Sequence, residues 1–376
     1  MNVLMTGGGT AGHINPAIAI AETIQKNMTD AKILFVGTPN GMESRLVPMA
    51  GFDFTSMPVA GFQRKLSLTN VKRNLQAVHY LAHSGRRAAK IINDFQPDIA
   101  IGTGGYVSGP ILRKAAQMGV PVLVHEANAF PGVTIKMLAR YSDCVMLAVE
   151  DAKKRMPEGG DYRITGNPVR AEILAYDKQR AREELGVDNR PLIVSFGGSL
   201  GARTINESVL DLLVRSAQDG RYQHIHGYGQ YGGFVLDELK ARGVFLGSCP
   251  HLDVREYIND MPRVMAAADL VICRAGAMAL AELQALGKAA ILIPSPNVAE
   301  NHQFYNAMAL VNRGAAEIIE EKDISPEMLT AKADSLAGDR AKLEEMSDNA
   351  RKMAILDSRE RIYAVVEETL KKHGKI

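Results

Sequence analysis

Three cysteines, Cys144, Cys249 and Cys273, are all that 376 residues supply. Their odd number and scatter indicate neither a disulfide framework nor a metal knuckle. No apolar run approaches the roughly 18 residues that a bilayer-spanning helix needs. The N-terminus, Met1-Asn2-Val3-Leu4-Met5, leads straight into a glycine loop without signal-peptide architecture. These absences point to the cytoplasm. Acidic residues are missing from one long stretch: between Phe54 and Asn93 there is no Asp or Glu. Arg64, Lys65, Lys72, Arg73, Arg86, Arg87 and Lys90 place seven positive charges there, so a net charge of +2 leaves −5 for the rest of the chain. Phe62, Leu66, Leu68, Leu75, Val78 and Leu81 interleave with that charge. Such a segment suits an anionic membrane surface, each basic residue contributing about 1 kcal/mol. It reads equally as a solvated basic face packed through its leucines. No nucleic-acid motif accompanies it, so nucleic acid is not an expected partner.

What is present is ordinary for a globular α/β protein, with 46% hydrophobic and 23% charged residues. The length suggests two domains, each with its own core. Val3 to Met5 reads as a strand, followed by Gly7-x-Gly9-x-x-Gly12 and an apolar helix from about Pro16 to Ile24. That spacing formally matches the dinucleotide fingerprint. The fingerprint also wants an acid after the second strand, to hold a ribose. Here the second strand, Lys32 to Val36, runs into Gly37-Thr38-Pro39-Asn40 with no acid, so the nicotinamide reading loses its second support. Asp98 to Gly102 is another strand, entering Thr103-Gly104-Gly105-Tyr106. A further strand, Val120 to Val124, delivers His125-Glu126-Ala127-Asn128. Thr10, His13, Tyr106, Glu126 and Asn128 would all sit at the carboxyl rim of a parallel sheet, where ligands collect.

The turn-rich stretch Pro157 to Asp161 and the run Gly166-Asn167-Pro168-Val169-Arg170 place a domain boundary near Gly166. Helix signals from Asp177 to Leu185 precede a strand, Pro191 to Phe196, and then Gly197-Gly198-Ser199-Leu200-Gly201-Ala202. The pattern GG-(S/T)-x-G thus opens each half of the chain, as a duplicated architecture would require. Small residues let backbone approach a phosphate, and the Ser199 hydroxyl adds a donor. Val244 to Leu246 reads as a short strand, and a helix is expected from about Pro262 to Ala268. The most informative stretch runs from Asp269 to Gln303. Leu270 to Cys273 forms a buried strand, a helix from Ala277 to Leu286 stops at Gly287, and Ala289 to Ile293 closes a strand–helix–strand unit. Its helix start is a natural seat for phosphate. Glu282 on that helix could accept both hydroxyls of a ribose, although on spacing alone it reads as a solvated glutamate.

Two domains of this kind form an α/β fold of two Rossmann-like, doubly wound halves facing across a cleft. The motifs Gly8 to His13 with Pro16, Gly104 to Pro110, His125 to Asn128, Gly166 to Arg170, Gly197 to Ala202, Cys273 to Ala277 and Asn301-His302-Gln303 with Asn306-Ala307 resemble one family. That family is MurG, the bacterial N-acetylglucosaminyltransferases that convert lipid I to lipid II in peptidoglycan synthesis. Ala11 and Leu200 depart from it, standing where glycine and glutamine are usual.

The resemblance implies a GT-B fold and an inverting transfer from UDP-N-acetylglucosamine to the 4-hydroxyl of a lipid-linked N-acetylmuramoyl pentapeptide. It implies no cofactor and no metal, and the chain contains no Asp-x-Asp pair. It also implies a peripheral place on the cytoplasmic face of the plasma membrane, among cell-wall synthesis and division proteins. Residues 1–165 would form the acceptor and membrane-facing domain and 166–354 the donor domain, with the last helix, about 355–376, returning to the first. Membrane contact would fall to Phe62, Arg64, Lys65, Lys72, Arg73 and Leu75.

By the same resemblance Glu282 would hold the ribose, the Ile258 backbone would meet uracil, and Arg170 would lie near the nucleotide. Ser199 and the turn Ala277, Met278, Ala279, Leu280, Ala281 would line the diphosphate. Gln303 and Asn128 would bind the sugar, with Thr10, Ala11 and Gly12 completing the site, and Thr103, Gly104, Gly105 and Tyr106 would form an acceptor loop. His13 is the candidate general base, since an ordinary imidazole suits proton removal near neutrality. Capping the first helix is its alternative role, and Glu126 is the rival base. Two other functions remain: a non-catalytic sensor of UDP-sugars, and a sugar-nucleotide epimerase, which needs no lipid acceptor.

Overall fold

The computed structural model describes residues 1–59 and 68–376, without the side chains of 68–79, 81 and 82. The chain divides into two compact units, Met1–Pro168 with Ile355–Ile376, and Val169–Ala354.

Unit 1 is built on seven parallel strands: β1 (Asn2–Thr6), β2 (Lys32–Gly37), β3 (Asp53–Ser56), β4 (Ile99–Gly102), β5 (Val122–Glu126), β6 (Cys144–Leu147) and β7 (Tyr162–Ile164). They lie in the order β3-β2-β1-β4-β5-β6-β7. Side chains alternate across a strand, so each strand feeds two cores. Val3 and Met5 of β1 face the helices Ala11–Asn27 and Ser358–Lys372, meeting Ile14, Ile20, Ile24, Ile362, Val366 and Leu370. Leu4 faces the opposite layer with Ile92, Ile111 and Leu112. With both faces covered, every residue of β4, β5 and β6 is buried, which explains their unbroken apolar runs. The last helix is also tied to this unit by ion pairs, Arg359 with Glu22 and Glu368 with Arg163.

Unit 2 repeats the plan with β8 (Leu192–Phe196), β9 (Gln223–Gly227), β10 (Leu252–Arg255), β11 (Leu270–Cys273), β12 (Ala289–Leu292) and β13 (Ala316–Ile318). Their order is β10-β9-β8-β11-β12-β13, the strand order of unit 1 without its seventh strand. The strand expected at Val244–Leu246 is not one. Val244 closes the end of the helix Phe234–Ala241, its N–H donating to the Leu239 carbonyl at 2.9 Å, and Leu246–Ser248 is a 3-10 turn. The strand that pairs with β9 is β10, six residues further on. Among the described residues, no helix is long and apolar enough to cross a membrane.

Both cores contain buried histidines. The hydroxyl of Ser195 lies 2.7 Å from His224 Nε2 and 2.8 Å from His226 Nδ1. A hydroxyl carries one hydrogen, so it accepts from one ring and donates to the other, which suits two neutral imidazoles. Protonating the ring that donates to Ser195 would add an N–H at its outer nitrogen, which is buried without a hydrogen-bond partner, and protonating the ring that accepts would turn an N–H against the Ser195 hydrogen. Burial lowers the pKa of His226 and of His125 to about 4, and that of His224 well below its ordinary value. The unfolded chain binds these protons first as pH falls, so stability is full above about pH 6.5 and is lost progressively towards pH 4. By pH 5 the loss is on the order of 2 kcal/mol per histidine. Thermal unfolding at pH 7.5 and 5.0 should show a lower Tm at the acid end, with a shallower dependence in His226→Asn. A Tm that did not move with pH would refute this account.

Candidate functional site

Ligands of open parallel sheets bind beyond the carboxyl ends of the strands, where strand order reverses. In unit 1 that point lies between β1 and β4. The loops after these strands touch: Gly8 N–H donates to the Gly104 carbonyl at 3.3 Å. The helix after β1 starts at Ala11, five residues before the expected Pro16, which puts His13 in its first turn. His13 Nδ1 is 2.9 Å from the Thr103 carbonyl oxygen. A carbonyl oxygen only accepts, so Nδ1 carries the hydrogen and Nε2 the basic lone pair. The Thr103 hydroxyl donates to the His13 carbonyl at 2.7 Å, so one residue holds the histidine by ring and backbone. Gly104 has φ +110°, and a Cβ there would lie 2.8 Å from the imidazole, so only glycine lets the ring settle. Thr10, Ala11 and Gly12 are exposed on this rim, and Tyr106 projects from it with 63% exposure. Thr10, at the N-cap of this helix, makes no side-chain capping bond, and the His13 ring turns its Nδ1 to the Thr103 carbonyl.

Glu126 ends β5 and is buried. Its Oε1 accepts from the backbone and side-chain amides of Asn128 at 2.8 and 2.9 Å, and its Oε2 from Gly132 N–H at 2.9 Å. Burial raises its pKa against the pull of these donors and of Lys136. Both oxygens are thus committed to shaping the loop after β5.

In unit 2 the reversal lies between β8 and β11. The loop after β8 exposes Ser199 and meshes with the loop after β9. A Cβ on Gly229 would lie 2.1 Å from Gly201 N, and one on Gly201 2.3 Å from the Tyr228 carbonyl, so neither position admits a side chain. β11 leads through Gly276 directly into the helix Ala277–Leu286, whose first-turn amides and dipole form an anion seat. Ala277, Met278, Ala279 and Ala281 are half-buried at this helix start, and Leu280 is buried.

Glu282 is 9% exposed, far from the solvated glutamate its spacing suggests. Its Oε1 accepts from Arg170 Nε at 3.1 Å and Nη2 at 2.9 Å. Burial raises its pKa, and the Arg170 charge only partly offsets this. The structure therefore joins two residues 112 positions apart that were singled out separately. Ile258 is buried next to Gly227 at the end of β9. Gln303 turns its Oε1 to Ser295 N–H at 2.9 Å, which orients its amide group.

Three features escaped the sequence. Arg274 donates to the Ile293 carbonyl at 3.1 Å and pairs with Glu321, bracing the turn after β11. Gly229 carries no motif of its own, and Glu43 of unit 1 has no local signal either. Of the membrane-contact residues, Phe62, Arg64 and Lys65 lie outside the described residues. So do the side chains of Lys72, Arg73 and Leu75, whose backbone belongs to the helix Leu68–Phe95.

Two doubly wound sheets of one strand order, each with a glycine loop at its reversal point, define the GT-B class of nucleotide-sugar proteins. Residues 3–147 match the glycosyltransferase family 28 N-terminal domain and residues 192–362 the family 28 C-terminal domain. The chain belongs to glycosyltransferase family 28. It is 45% identical, over 99% of both chains, to the UDP-N-acetylglucosamine--N-acetylmuramyl-(pentapeptide) pyrophosphoryl-undecaprenol N-acetylglucosamine transferase of Acetivibrio thermocellus. A protein of the same name from Thermoanaerobacter sp. is 44% identical, over 98% of this chain and 99% of its own. Among solved structures it is similar to MurG of Acinetobacter baumannii, with 28% identity, TM-score 0.77 and coverage of 98% of this chain and 99% of that one. The UDP-GlcNAc 2-epimerase of Neisseria meningitidis, at 14% identity and TM-score 0.66, covering 99% of this chain and 100% of that one, shares the fold alone.

Proposed function

We propose that the protein transfers N-acetylglucosamine from UDP-N-acetylglucosamine to lipid I, undecaprenyl-diphospho-N-acetylmuramoyl pentapeptide, giving lipid II for peptidoglycan synthesis. The observation that carries this reading is end-to-end similarity to transferases of that name, in a chain whose two reversal points both bear glycine loops. Unit 2 takes the donor: Glu282 accepts from the ribose hydroxyls, Arg170 lies beside it, and the Ile258 backbone meets uracil. Ser199 and the amides at the start of the Ala277–Leu286 helix hold the diphosphate, and Gln303 the sugar. Unit 1 takes the acceptor through the Thr103–Tyr106 loop.

In the reaction His13 Nε2 removes the proton of the acceptor 4-hydroxyl. The oxygen attacks the anomeric carbon opposite the UDP, the bond from that carbon to the diphosphate breaks, and configuration inverts. The charge leaving with UDP is met by helix-start amides and hydroxyls. No metal is required in this scheme. The acceptor's lipid places the reaction at a membrane surface, and we assign the protein to its cytoplasmic face, held there by the basic stretch between Phe54 and Asn93.

The test is transfer of radiolabelled N-acetylglucosamine onto lipid I in anionic vesicles, with and without chelator. Labelled lipid II in both arms, and release of protein from the vesicles by salt, is the expected result. Epimerised nucleotide without lipid product would point to the epimerase reading, and nucleotide binding with no product to the sensor. Activity lost to chelator and restored by magnesium would sink the metal-free scheme.

A further inference from the structure

The dinucleotide fold asks for an acid just past its second strand, and the residues directly after β2 offer none. The structure nevertheless delivers a carboxylate to that place. Glu43, first residue of the helix Glu43–Met49, is 1% exposed and sits behind the glycine loop after β1. Its Oε2 accepts the Gly9 N–H at 3.0 Å. Its Oε1 accepts both the Thr38 N–H at 2.8 Å and the Thr38 hydroxyl at 2.7 Å. Burial by itself would raise the Glu43 pKa, but the Thr38 hydroxyl and the Gly9 and Thr38 amides hold it below its ordinary value. Its two oxygens are committed to two backbone amides and one hydroxyl of the protein itself.

The position of that bond gives it a role. Gly9 has φ +86° and lies one residue before Thr10, the N-cap of the His13 helix. On the other side of the same loop, Gly8 bonds to Gly104, next to the Thr103 that holds the His13 ring. The loop is therefore fixed at two successive amides, by Glu43 at Gly9 and by the β4 loop at Gly8. Free of the first tie, a stretch this rich in glycine would sample many backbone states.

We propose that Glu43 is a positioning residue for the transfer reaction: its carboxylate fixes the Gly7–Thr10 loop so that the His13 ring is presented in one place. The proposal rests on the lipid I reading and on His13 as base. A shift of about 1 Å in a reacting group can cost up to a hundred-fold in rate. Glu43→Gln keeps the shape but turns an N–H donor towards one of the three donors that Glu43 now accepts. Thr38→Val removes one of these bonds, whereas Thr38→Ser retains it.

The experiment measures kcat, UDP affinity, Tm and Gly9 amide hydrogen exchange for wild type and these three variants with lipid I. Glu43→Gln should lower kcat about ten-fold or more with UDP affinity unchanged, since UDP is held by unit 2, and should speed Gly9 exchange. Thr38→Val should move both readouts in the same direction by less, and Thr38→Ser should restore them. Equal kcat and equal Gly9 exchange in Glu43→Gln would overturn the proposal while wild-type turnover kept the function intact. A fall in Tm that accounted for the whole loss of activity, with UDP affinity falling in parallel, would also overturn it. No turnover by wild type would instead count against the lipid I reading.

Discussion

Replacing His13 by alanine should lower kcat by about 10²- to 10⁴-fold, the range lost with a general base, while leaving the KM for UDP-N-acetylglucosamine nearly unchanged. The expectation rests on geometry. Thr103 takes the Nδ1 hydrogen at 2.9 Å, which leaves the lone pair on Nε2, the nitrogen that accepts the acceptor's proton in the proposed reaction. Glu126 is the poorer candidate because both its oxygens already accept from Asn128 and Gly132. Glu126→Gln should destabilise the loop after β5 and lower Tm, since one of these donors would meet an N–H in place of an oxygen. Its kcat at saturating substrate should fall far less than that of His13→Ala. The pH profile adds an independent check: the acid limb of kcat/KM set by the base should disappear in the residual activity of His13→Ala. Near-normal turnover by His13→Ala with loss of turnover in Glu126→Gln would exchange the two roles.

Much of this fold can be read from the residues, for a physical reason. A parallel strand buried on both faces is a short apolar run, and a glycine loop after it is hard to mistake, so β1, β8, β11 and β12 and the loops after β1, β4 and β8 stand out. Strands of three or four residues in the flanks, such as β7 and β13, carry too little pattern to be seen. β10 was misplaced because the apolar Val244-Phe245-Leu246 looks more strand-like than the charged Leu252-Asp253-Val254-Arg255. Only pairing with β9 decides between them. Candidate site residues could be singled out where they sit inside a motif, as His13 and Gln303 do. Their surroundings were not legible where they depend on a distant partner. Glu43 reaches Gly9 across 34 positions, and Glu282 reaches Arg170 across 112, so neither environment leaves a trace in local spacing.

Glu282 is where that missing information has its largest consequence for binding. A helix glutamate in water would contribute little to a ligand. One that is 9% exposed, with Arg170 on one oxygen, presents an oriented carboxylate for which few waters compete. Hydrogen bonds to a charged group contribute about 1.5–3 kcal/mol each, so Glu282→Ala should weaken UDP binding by roughly 10- to 150-fold. The cost in fold stability should be small, because the Arg170 side chain released by the change is half-exposed and can be solvated.

Calorimetry with UDP and with its 2′-deoxy and 3′-deoxy analogues turns this into a double-mutant cycle. Wild type should discriminate against both analogues, and Glu282→Ala should bind all three alike. The raised pKa of Glu282 adds a pH signature. Protonation removes an acceptor, so UDP affinity should fall as the medium is acidified, starting above the ordinary glutamate value of 4.5, and Glu282→Gln should not show that fall. If Glu282→Ala bound UDP as tightly as wild type and still told ribose from deoxyribose, the carboxylate would be only a partner for Arg170, and the ribose would have to be read by another group of unit 2.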